Sequence, residues 1–131
     1  MTTEPRWLVR RGEPGDRNFV AASWFASYFK GGECPRLTHE EYKASVAPLL
    51  DAILRRSEVF VACVPNFPDE ILGYAVFEGP ALHFVYVKDA FRRHGIAQDL
   101  LARRQYTHHT FLTSIGKKIL KSKFNPFLMF H

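Results

Sequence analysis

Four consecutive residues, Arg92-Arg93-His94-Gly95, stand between a strand-like run and a helix-like run. Upstream, Leu82-His83-Phe84-Val85-Tyr86-Val87 is β-branched and aromatic, with the length and composition of a strand. Downstream, Ile96, Ala97, Leu100 and Leu101 recur at the i, i+1, i+4, i+5 spacing of one helix face. The first N–H groups of a helix have no partner within it, and the dipole is positive there, so an anion is accommodated. Arg92, Arg93 and His94 add positive charge, and Gly95 removes the side chain that would keep a phosphate off the backbone. A strand running into such a turn is a phosphate cradle.

A second pair of residues could move protons. An imidazole titrates near neutrality, which suits a general base taking a proton from an amine. His83 lies inside the strand-like run, where strict alternation puts its side chain on the same face as Val85 and Val87. Glu78, at the end of the preceding apolar run, is the second candidate base.

The segment Arg92-x-x-Gly95-x-Ala97 resembles the acetyl-CoA-binding signature of the GCN5-related N-acetyltransferases, Arg/Gln-x-x-Gly-x-Gly/Ala. A strand ending at Val87, five residues before Arg92, and a helix continuing through Leu100-Leu101 are placed as in that family. The resemblance implies an α/β fold, a mixed and mostly antiparallel sheet of about six strands flanked by helices. It implies that the backbone of Arg92, Arg93, His94, Gly95, Ile96 and Ala97 holds the pyrophosphate of acetyl-CoA, the co-substrate. The main chain of Val85, Tyr86 and Val87 would pair with the pantetheine arm. The implied activity is transfer of an acetyl group to a primary amine, of a small molecule or a protein, by direct attack with general-base assistance. Counting back from Arg92, His83 falls where the serotonin N-acetyltransferase branch carries a histidine tied to base catalysis. Histone-type relatives often place a glutamate base where Ala81 stands here, so that version is excluded. The family often carries a tyrosine on its last helix that protonates the leaving thiolate. No tyrosine follows Tyr106 in this sequence. The acid must then come from elsewhere, or the chain is a catalytically inactive binding or regulatory protein of the same fold.

The elements that must position these residues follow the chain. A length of 131 residues fits one domain, 1–131, and 47% hydrophobic with 15% aromatic residues is enough for a packed core. Residues 7–10 read as a first strand. Asp16 can cap a helix running to about Lys30. On it, Tyr28 and Phe29 next to Gly31-Gly32 are candidates to line a substrate opening, a role the corresponding connection commonly has in the family. Thr38 and Glu41 form a capping box for a second helix, with Pro48 inside it expected to kink or split it. Residues 59–64 and 71–77 read as an antiparallel hairpin across turn residues 65–69, followed by the strand 81–87. Further on, 106–111 reads as a fifth strand, 112–121 as a last helix and 127–130 as a final strand.

A net charge of +5 suits a polyanionic cofactor and equally a weak nucleic-acid affinity, so charge does not decide. Lys117, Lys118, Lys121 and Lys123 with Phe124, Phe127 and Phe130 read as a solvated helix face over core phenylalanines in preference to a nucleic-acid patch. The Phe-rich final strand could pair with a second subunit. Cys63 in an apolar run reads as a buried free thiol, far in sequence from Cys34. The histidines and cysteines lack Cys-x-x-Cys or His-Glu-x-x-His spacing, which argues against structural zinc. With no basic, apolar leader over 1–10 and no apolar run of ~20 residues, the expectation is a cytoplasmic protein without a membrane span.

Overall fold

The structure is a computed structural model, which describes residues 6–30, 38–110 and 123–124. Within these residues six strands form one sheet in chain order. They are β1 (Leu8–Arg11), β2 (Glu58–Val64), β3 (Phe67–Glu78), β4 (Ala81–Val87), β5 (His108–His109) and β6 (Lys123–Phe124). β1 to β4 are antiparallel neighbours, whereas β5 runs parallel to β4 and β6 parallel to β5. Helices α1 (Arg17–Lys30) and α2 (His39–Arg56) supply one layer, and the short helix α3 (Ile96–Leu101) the other.

The period-two pattern of β3 explains the two layers. Tyr74 and Val76 point into a core with Val20, Trp24, Leu50 and Ile53 of α1 and α2. Ala75 and Phe77 point the other way, towards Ile96 and Leu100 of α3. Trp24, fully buried, stacks on Phe84 of β4 with ring centres 5.3 Å apart, which clamps α1 to the sheet. Tyr74 shares a hydrogen bond with Ser23 at 2.8 Å and donates to the Val20 carbonyl at 3.1 Å. Its burial pushes the phenol's pKa up, well out of any physiological titration.

Several expected boundaries move, each for a local reason. The β2–β3 turn is only Pro65-Asn66, because Phe67–Glu70 carry β3 on as an exposed ribbon rather than a loop. Asp16 does not cap α1. It ends a 3-10 turn, Pro14–Asp16, accepts from the Glu13 N–H at 2.7 Å and takes both guanidinium nitrogens of Arg10 at 2.7 and 2.9 Å. Helix α2 begins on the expected Thr38 cap, whose side chain accepts from the Glu41 N–H at 3.1 Å. It is not split at Pro48, since the missing N–H and the Ala44 carbonyl it would have served both lie on the exposed face. The fifth strand shrinks from 106–111 to His108–His109. Cys63 is the expected buried free thiol. The helix expected over 112–121, the strand over 127–130 and Cys34 lie outside the described residues. No described helix is long and apolar enough to cross a membrane.

Candidate functional site

The site is best built from an irregularity in β4. In the β3–β4 ladder Val76 faces Phe84 while Phe77 faces Leu82, so His83 is an extra residue, a β-bulge. The bulge breaks the alternation expected from sequence. Leu82, Val85 and Val87 face α3, but His83 does not share their side. It turns to the α2 side, where its Nε2 stands 2.9 Å from Glu78 Oε1. The physical reason is parity: one inserted residue reverses which side an odd-numbered position faces.

His83 and Glu78, the two candidate bases, are thereby brought together. Arg56, the last residue of α2, sets its Nε 2.9 Å from each Glu78 oxygen. On the other side of the ring, Nδ1 lies 2.7 Å from Thr110 Oγ1. Burial pushes the Glu78 carboxyl up, yet the hydrogen bonds from His83 and Arg56 together hold it below its ordinary value. Glu78 is therefore an anion at neutral pH, and its side chain is 23% exposed while that of His83 is fully buried. Solvent reaches the network at Arg56 and Glu78, whose side chains are 27% and 23% exposed. Arg56 and Thr110 were missed by the sequence reading, because neither belongs to a motif and both meet His83 only through tertiary contact.

Thr110 follows directly on β5. β5 pairs with β4 only at Ala81 and Leu82, and the Thr110 N–H donates to the Leu82 carbonyl at 3.1 Å. Beyond that point, among the described residues, no strand pairs with β4 on this edge. Val85 and Tyr86, two of the three residues proposed for a ligand arm, are half-buried there, and Val87 is buried against α3.

The basic loop lies past the far end of β4. Gly95 has φ +96°, a left-handed conformation that a side chain would strain, and Arg93 is also left-handed at φ 69°. Among the described residues, the only heavy atom within 4 Å of a Cβ built on Gly95 is a Trp7 ring carbon at 3.9 Å, so they leave the loop backbone approachable. Arg92 is committed locally. Its Nε donates to the Val87 carbonyl at 3.0 Å and its Nη1 pairs with Asp89 at 3.0 Å, pinning the strand end to the loop. Arg93 and His94 are exposed, Ala97 is half-buried, and Ile96 packs into the core so that only its main chain faces the loop. Trp7 donates to Asp99 at 2.8 Å, and Arg6, Trp7, His94 and Asp99 line an open recess of about 420 Å³ beside the loop. A smaller recess of about 200 Å³, bordered by Arg11, Asp16, Leu54 and Glu58, touches none of these residues. The side chains of Tyr28 and Phe29 lie outside the described residues, and no metal-binding cluster occurs among the described ones.

No protein-family model and no curated protein sequence matches the chain. Solved structures do match. A GCN5-related N-acetyltransferase from Rhodopseudomonas palustris is 18% identical, covers 78% of this chain and 65% of its own length, and gives a TM-score of 0.53. A histone acetyltransferase and related acetyltransferase from Corynebacterium glutamicum is 14% identical over 75% of this chain and 69% of its own, at a TM-score of 0.59. A GNAT family acetyltransferase from Brucella melitensis, in complex with acetyl-CoA, is 18% identical over 72% and 63%, at 0.50. The chain spans just under two thirds of the first and third of these. At such identities the likeness is one of fold, and the chain has the fold of the GCN5-related N-acetyltransferases.

Proposed function

We propose that the protein is an acetyl-CoA-dependent N-acetyltransferase acting on a primary amine. The observation that carries this reading is the bulge in β4 that joins His83 to Glu78, on the strand that leads into the basic loop at Arg92–Ala97. From His83 to Val87 is about 13 Å at the rise of a strand, so an extended arm along this strand would link the network to the basic loop. The residues present fit acetyl-CoA through a left-handed Gly95, beside which the described residues leave the loop backbone open. The backbone of 92–97 with Arg93 and His94 would hold the pyrophosphate, and the main chain of Val85 to Val87 the pantetheine. Bound there, acetyl-CoA supplies an activated thioester carbonyl.

The chain's own residues handle the acceptor. The Glu78 anion, a quarter exposed, attracts the ammonium form of an incoming amine. Arg56 keeps that carboxylate fixed and ionised. His83 takes the proton that the amine must lose before it can attack, and the imidazolium so formed is stabilised by the adjacent carboxylate.

Titration calorimetry with acetyl-CoA tests the first half, with Gly95→Trp as the blocked variant and circular dichroism to show that it folds. Micromolar binding that the variant loses supports the reading. Absence of binding to wild-type protein overturns it and favours a non-catalytic descendant of the fold. The second half is tested by an acetyl-transfer assay over arylalkylamines and lysine peptides. If His83→Ala stays within a few-fold of the wild-type rate, the base assignment is wrong.

A further inference from the structure

Thr110 stands outside every motif, yet its hydroxyl meets the ring nitrogen of His83 that Glu78 leaves open. We propose that Thr110 holds His83 in the tautomer that Glu78 sets, donating to the proton-accepting nitrogen, Nδ1, on the β5 side of the ring. The assignment is a chain of hydrogen-bond bookkeeping. Glu78 is gripped by Arg56 through both oxygens, at 2.9 Å each. An ionised carboxylate only accepts hydrogen bonds, so the ring nitrogen 2.9 Å from it must carry the hydrogen. A neutral imidazole has one N–H, which leaves Nδ1 with its lone pair. The contact of 2.7 Å from Nδ1 to Thr110 Oγ1 then requires the threonine hydroxyl to donate. Thr110 is held to deliver it, because its own N–H is tied to the Leu82 carbonyl at 3.1 Å and its side chain is fully buried.

This deepens the acetyltransferase reading and, for its catalytic part, rests on it. With the lone pair at Nδ1, the proton that leaves the amine nitrogen ends on that nitrogen, and the Thr110 hydroxyl turns from donating to accepting. One N–H bond of the ammonium breaks, one N–H bond forms on the ring, and the threonine keeps its own proton. The resulting imidazolium donates to Glu78 through Nε2 and to Thr110 through Nδ1, so neither nitrogen is left bare. Thr110 is in this sense a positioning residue for the base. Among the described residues, the charged groups facing the ring include Glu78 from β3 and, behind it, Arg56 from α2.

Long-range proton–nitrogen correlation spectra of protein labelled with ¹⁵N-histidine test the tautomer without any substrate. The His83 signals are assigned by their loss in His83→Gln. In wild type at slightly alkaline pH, His83 should show a protonated Nε2 and an unprotonated, hydrogen-bonded Nδ1. Thr110→Val should move the Nδ1 resonance, and Thr110→Ser should restore it. Acetyl transfer should fall at least tenfold in Thr110→Val and largely recover in Thr110→Ser. A wild-type ring protonated at Nδ1, or nitrogen shifts unchanged in Thr110→Val, overturns the proposal, and the wild-type spectrum decides it even if Thr110→Val does not fold. The expected nitrogen pattern in a protein that neither binds acetyl-CoA nor transfers acetyl upholds the tautomer and refutes the enzymatic reading alone.

Discussion

Single residues divide into those whose chemistry was legible in sequence and those whose partners were not. Gly95 announced itself, because a glycine between basic residues and a helix stripe implies an open backbone, and its φ of +96° agrees. His83 and Glu78 were legible as candidates but not as a pair, since their contact depends on a bulge that no residue type in β4 signals. Asp16 was read as a cap and is instead the partner of Arg10, six residues back, a side-chain pairing that propensity does not encode. Its carboxyl lies well below the ordinary range, chiefly through the Arg10 hydrogen bonds, with burial opposing. A depressed carboxylate stabilises the fold above its unfolded pKa of about 3.9 and loses that contribution as the pH falls through the folded value. Asp16→Asn should therefore cost about 1–3 kcal/mol at pH 7, and the gap to wild type should narrow below about pH 4. Urea unfolding at the two pH values measures it.

At the scale of elements, apolar patterning found α1, α2 and β2 to β4 close to their observed bounds, because each helix buries one face and each of these strands a continuous apolar run. It failed where pairing rather than burial decides. The ribbon Phe67–Glu70 is exposed throughout, and β5 is held by only two register pairs, so neither carries an apolar pattern. Pro48 was expected to kink or split α2, and the helix runs through it unsplit, its defect facing solvent. Replacing it should recover a hydrogen bond and helix propensity without opening the core. Pro48→Ala is thus expected to stabilise the protein by about 1–3 kcal/mol, read as a rise in Tm of several degrees. Gly73 predicts the opposite sign. A Cβ there would stand 2.5 Å from the Tyr86 carbonyl oxygen, main chain that moves only if β3 and β4 shift together. Gly73→Ala should lower stability by about 1–3 kcal/mol in the same melting experiment.

For the molecule as a whole, the sheet separates two cores, one under α1 and α2 and one under α3. Ile53 belongs to the first and Leu100 to the second, and both are fully buried. Truncating either to alanine should cost about 2–5 kcal/mol. Because the two share no cluster, the double variant should equal the sum within about 0.5 kcal/mol, as equilibrium denaturation will show. The order of strands and helices was legible from the motif outwards, since a strand, a basic turn and a helix leave few ways to arrange what precedes them. The parallel return of β5 was not, because two residues of strand give no sign of direction. The bulge at His83 has a consequence for the length of the chain itself. A strand is a text read in pairs of letters, and position 83 is a letter that belongs to no pair. Deleting it should leave Phe84 to Val87 in frame, each still facing its own core, and yield a folded protein shorter by one residue and without the proposed base. Deleting Val85 instead should throw the rest of β4 out of frame, exchanging the faces of Tyr86 and Val87, and the chain should fail to fold.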